Sequence, residues 1–135
     1  MYKLFSIEQA NSLIPQVDSA VSELKQVSED LRRTGSQLRE SEPWTLEARN
    51  LYFESVFLAQ QAQSLKKQIE NLGVRVADPK TGKLGFPAQV GAELVWLTWE
   101  PGEDTVTHFR RMAGTSSASI PLSPQGEPVP ESASA

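Results

Sequence analysis

The chain carries one imidazole, His108, and no cysteine in 135 residues. That pairing bounds its chemistry at once. Disulfides, thiolate zinc sites, iron–sulfur clusters and cysteine nucleophiles are all excluded. A metal site would have to combine His108 with carboxylates such as Glu93, Glu100, Glu103 or Asp104. No second imidazole or thiolate exists to complete a transition-metal set, so no metal and no cofactor is expected. The plainer reading of His108 is a partly exposed strand histidine. Neighbouring carboxylates occur at Glu29-Asp30, Glu40 with Glu42, and Glu103-Asp104. Each pair falls on a polar helix face or in a turn, where nothing tunes a pKa for acid–base work. Thr81-Gly82-Lys83-Leu84 lacks the G-x-x-x-x-G-K-[ST] run of a phosphate loop, and no helix pattern follows it, so it reads as a turn. Three dibasic pairs, Arg32-Arg33, Lys66-Lys67 and Arg110-Arg111, are expected to be solvated. The first two should lie toward opposite ends of a hairpin and not converge. No catalytic residue is assigned.

Composition narrows the class further. The chain is 39% hydrophobic and 22% charged, with a net charge of −4, so no global positive field draws it to nucleic acid or anionic lipid. Apolar runs are too short to span a bilayer, and Met1 to Ser6 lacks the apolar stretch of a signal peptide. A cytoplasmic protein without membrane contact is the expectation. Length suits one domain that buries a modest core unaided.

The elements that must position these residues form three zones. A helical hairpin is expected over 6–72 and a β unit over 73–111, together a single domain over 1–112. A flexible tail over 113–135 follows, rich in Ser, Ala and Pro. Ser6 and Gln9 make the S-x-x-Q capping box, with Phe5 set as the hydrophobic staple. Apolar residues then alternate by three and four from Ala10 through Leu13, Val17, Ala20, Leu24 and Val27 to Leu31. Pro15 predicts a kink, or a short first helix that ends before it. The first helix is expected over 7–33, with a loop from Thr34 to Pro43. The second stripe runs from Trp44 through Ala48, Leu51, Leu58, Ala62, Leu65 and Ile69 to Leu72, closed by Gly73 as the left-handed residue past the helix. Matched lengths and a short loop predict an antiparallel pair.

In the β unit, Val74 and Val76 alternate with Arg75 and Ala77, and Asp78 to Gly82 is a turn. Leu84 to Ala88 is expected as an edge strand because of Pro87. Ala92 to Trp99 is the strongest strand, with Val95, Leu97 and Trp99 on one face and Leu94 and Trp96 on the other. Thr105 to Arg110 returns, and Tyr2 to Phe5 could add one more strand. The fold class is therefore α+β: a long antiparallel helical hairpin followed by a small antiparallel sheet.

Several stretches carry a family likeness. The helix start Phe5-Ser6-Ile7-Glu8-Gln9-Ala10-Asn11 with Leu13-Ile14-Pro15 is one. The run G-V-x-V-x-D-x-x-x-G-x-L-x-F-P-A over Gly73 to Ala88 is another. Val95, Leu97 and Trp99 before Gly102-Glu103, and Pro121-Leu122, complete the set. Together they resemble the bacterial family known as domain of unknown function 2203, over Tyr2 to Leu122, and this chain would be a divergent member. The resemblance implies no established activity. It also implies a Cys where Thr98 stands, an acid where Gly85 stands, a Trp-His pair at Phe109-Arg110, and a Gly-Phe-x-Gly-Arg stretch at Thr115 to Ser119. A ligand or metal site built from those groups would be lost here, and His108 is one step out of register with the family histidine.

The functional expectation is a non-catalytic protein that self-associates through its hairpin, most simply as a homodimer. Tyr52, Phe53, Val56 and Phe57 lie off the seam that contains Leu51, and soluble monomers seldom expose a large apolar patch. Leu94 and Trp96, on the outer side of the main strand, are further interface candidates. Two alternatives stand beside this: a small ligand- or metal-dependent enzyme at the sheet–helix junction, and an adaptor whose helix groove binds another protein.

Overall fold

Helix α1 (Ile7–Glu40) begins at the expected capping box. The Ser6 hydroxyl oxygen accepts from the Gln9 N–H at 3.0 Å, and the Gln9 side-chain carbonyl accepts from the Ser6 N–H at 2.9 Å. The computed structural model describes residues 3–113 and 118–122. The expected tail falls mostly on 114–117 and 123–135, which lie outside the described residues, as does Tyr2. Through Pro15, α1 continues as one helix rather than ending there. Pro15 faces solvent, while Ile14 and Val17 beside it are anchored in the core.

The end of α1 differs from expectation. It runs past Arg33 to Glu40, giving 34 residues and a length of ~51 Å. Gly35 inside a helix costs only ~1 kcal/mol, and Leu38 extends the seven-residue spacing of Leu24 and Leu31. Ser41, in extended backbone, ends the helix, and its hydroxyl donates to the Gln37 carbonyl at 2.8 Å. The connection is therefore shorter than the one expected from Thr34 to Pro43.

Helix α2 (Leu46–Asn71) starts at Thr45, whose hydroxyl oxygen accepts from the Ala48 N–H at 3.1 Å. Trp44 thus precedes the helix and takes no part in its seam. Gly73, with φ of 93°, follows Leu72 at the helix end as expected.

The remaining chain forms a five-stranded antiparallel sheet in sequence order. Its strands are β1 (Arg75–Asp78), β2 (Lys83–Val90), β3 (Glu93–Trp99), β4 (His108–Arg111) and β5 (Ile120–Pro121). Contrary to expectation, β2 is an interior strand, between β1 and β3. Pro87 is tolerated because β1 pairs only as far as Gly85. A strand residue directs its N and O to the same side. On that side the Pro87 carbonyl accepts from the Phe5 N–H at 2.7 Å, and no strand asks Pro87 for a donor. That backbone bond is the role of the segment before α1, in which residues 3–5 form no strand. The β4 strand starts later than expected, because the Val106 N–H is taken by Asn11 Oδ1 of α1 at 2.8 Å. Ile120 and Pro121 pair with Phe109 and His108, so the sheet gains an edge strand from beyond residue 112.

One face of the sheet, with Val76, Leu84, Phe86, Ala88, Val95, Leu97, Trp99 and Phe109, is buried against the hairpin. The core reaches only to Val27 on α1 and begins at Leu58 on α2. Beyond that point the two helices bury little but Thr34 and Ala48. Leu31 still packs against the main core, and the last ~13 Å of α1, from Arg32 onward, runs clear of it.

Candidate interaction surface

The uncovered part of the hairpin carries the largest run of exposed apolar side chains. Phe53 is 58% exposed and Phe57 63%, with Leu46, Tyr52 and Val56 also exposed and Trp44 89% exposed in the preceding loop. Leu51 is half-buried in the seam. The Tyr52 and Phe53 rings meet edge to face at 5.6 Å, so the two neighbours form one aromatic surface. The cause is the span of the sheet. It covers the α2 stripe from Leu58 to Ile69 and leaves the first three turns of α2 with α1 alone.

The outer sheet face is less open. Leu94 is exposed, but Trp96 is half-buried. The Arg75 guanidinium lies 5.2 Å from the centre of its ring, within cation–π range. The ring also lies across Gly85, where a Cβ would come within 3.2 Å of it.

His108 sits at half-exposed depth on that outer face, opposite Thr98. Its Nδ1 is 2.8 Å from the Thr107 hydroxyl, which in turn donates to Glu103 Oε2 at 3.2 Å. Glu103 also accepts from the Glu100 N–H at 2.7 Å, and its backbone carbonyl accepts from Trp99 Nε1 at 2.8 Å. These bonds tie a turn together. Among the described residues no group of three His, Asp or Glu side chains could hold a metal ion. Of the carboxylate pairs, Glu29 accepts a two-point contact from Arg32, at 2.6 and 3.1 Å, and Asp30 accepts from Arg33 at 2.9 Å. The Arg32 hydrogen bonds hold the Glu29 carboxyl below the usual carboxylate range, and Glu29 holds Arg32 above its own. Both are solvent-exposed helix-surface groups.

The model of the uncharacterized conserved protein family DUF2203 matches residues 3–117. The chain belongs to the DUF2203 family. No curated protein and no solved structure matches it. The match spans both helices and the first four strands and stops before β5. In this DUF2203 chain, Gly85 and Thr98 are cross-strand neighbours. The Thr98 hydroxyl donates to the His108 carbonyl at 3.2 Å, supporting the sheet. Gly85 makes room for Trp96.

One expectation about the basic pairs is overturned. Arg32 and Lys66 line the same groove, of about 490 Å³, together with Lys80 from the β1–β2 turn. Because α1 continues to Glu40, Arg32 is two turns short of the helix end, and the 79–82 turn folds back onto the hairpin. A second cavity, of about 420 Å³, lies at the hairpin tip against Arg39, Arg49 and Tyr52. Neither reaches His108. Among the described residues no helix is long and apolar enough to cross a membrane.

Proposed function

We propose that this DUF2203 protein is a non-catalytic assembly module whose hairpin pairs with a second copy of itself. The observation that carries this reading is the aromatic face of α2 at Phe53 and Phe57, outside the reach of the sheet. More than half of each ring is still open to water, and covering the rest is worth ~1–2 kcal/mol per ring. In a twofold pairing the same face is used by both copies, so each ring counts twice. Two hairpins so joined make a four-helix arrangement, the usual way to bury apolar stripes on long paired helices. Near the centre of the face the charges are few and opposite, Arg49 and Glu54, which suits a self-complementary contact. Light scattering on the wild type beside Phe53→Glu and Phe57→Glu tests the reading. A dimeric wild type and monomeric variants with unchanged circular dichroism are expected. Variants that keep the wild-type mass would overturn it.

A further inference from the structure

The groove between the helices and the β1–β2 turn has no part in that reading. Its apolar lining comes from Leu24, Leu31, Ala59 and Ala62. Its charged lining is entirely cationic: Arg32, Lys66 and Lys80. Glu29 occupies Arg32, but Lys66 and Lys80 make no ion pair among the described residues. Among the described residues no carboxylate lines the groove, although the chain as a whole has a net charge of −4. A volume of about 490 Å³ falls in the range of small-molecule sites. Along α1 the lining runs from Leu24 to Arg32, ~12 Å at the helical rise per residue. That length suits a medium acyl chain and is too short for a helix of several turns. The two alanines create the space, since larger side chains at those positions would fill it.

We infer that this groove binds a medium-chain carboxylate, with the acyl chain along Ala59, Ala62, Leu24 and Leu31 and the carboxylate facing Lys66 and Lys80. Apolar contact supplies the affinity, and the two ammonium groups select the anion. Each methylene buried multiplies affinity by about four, so decanoate should bind up to about fifteenfold more tightly than octanoate. Decanol, with the same chain and no charge, should bind several-fold more weakly than decanoate.

Calorimetric titration of the full chain with octanoate, decanoate and decanol, below their micelle or solubility limits, tests this. Amide chemical shifts recorded in parallel locate the ligand. Saturable decanoate binding is expected, with shifts centred on Ala59, Ala62 and Lys80. The double variant Lys66→Gln, Lys80→Gln should bind decanoate and decanol alike. Ala62→Phe should lose both while keeping wild-type circular dichroism. If that variant does not fold, Ala59→Leu gives the same test from an exposed helix position. Equal wild-type affinity for decanoate and decanol would overturn the inference. So would shifts centred on Phe53 and Phe57, or no saturable binding.

Discussion

Gly82 offers the sharpest test of how the sheet is seated on the hairpin. Its φ is 81°, a left-handed conformation that costs an alanine ~1–2 kcal/mol. A Cβ there would lie 2.6 Å from Val21 Cγ1 and 2.8 Å from Pro101 Cγ. Val21 is fully buried on α1 and cannot swing aside. Overpacking of this kind costs a further ~1–3 kcal/mol. The stiffer unfolded chain returns ~0.4–1 kcal/mol. Gly82→Ala should therefore destabilise by ~2–4 kcal/mol in urea titration, with an unchanged slope. Gly91 is the internal control. Its φ is 62°, but nothing lies within 4 Å of the added carbon, so Gly91→Ala carries only the backbone penalty. The two variants should differ by ~1–3 kcal/mol. If they agree to within ~0.5 kcal/mol, the close approach of the turn to α1 is not real, and the groove wall it forms falls with it.

Three other outcomes follow from the hydrogen bonds and edge contacts. Asn11→Ala orphans the Val106 N–H beside the core and should cost ~1–3 kcal/mol in the same assay, whereas Asn11→Asp keeps the acceptor and most of the stability. The Glu29 carboxyl is held low by Arg32, so the helix support of this pair is present above the ordinary carboxylate range and fades as pH falls through the folded value. Side-chain NMR should show Glu29 titrating higher in Arg32→Gln than in wild type. Removing 118–135 deletes β5, including the Leu122 N–H donated to Thr107 at 2.8 Å, and should lower the melting temperature, while removing 123–135 should leave it nearly unchanged.

Much of this architecture is legible in the sequence because its signals are local. The reciprocal bonds of Ser6 and Gln9, and the glycine after Leu72, mark helix ends within four residues. Alternation along β3 assigns Val95, Leu97 and Trp99 to the core without knowledge of the partner strands. The misreadings are places where a distant contact outweighs a local preference. The polar run from Thr34 reads as a loop, but α1 continues through it to Glu40 with Thr34 buried. Pro87 suggests an edge, but β1 stops before its N could be needed. Thr105 to Thr107 has the look of a strand, but Asn11, far away in sequence, takes the Val106 N–H. The groove follows from two such effects together, the overrun of α1 and the seating of the 79–82 turn. No spacing rule joins Arg32, Lys66 and Lys80. That Phe53 and Phe57 lie off the seam is legible in the spacing, but that the sheet leaves them uncovered depends on where the sheet sits along α2.

Whether a second copy covers the Phe53–Phe57 face is read by sedimentation equilibrium of the untagged wild type over a dilution series from hundreds to below one micromolar. A reversible monomer–dimer equilibrium is expected, with the dimer dominant at the top of the series. A single species of 14.9 kDa at every concentration would contradict it.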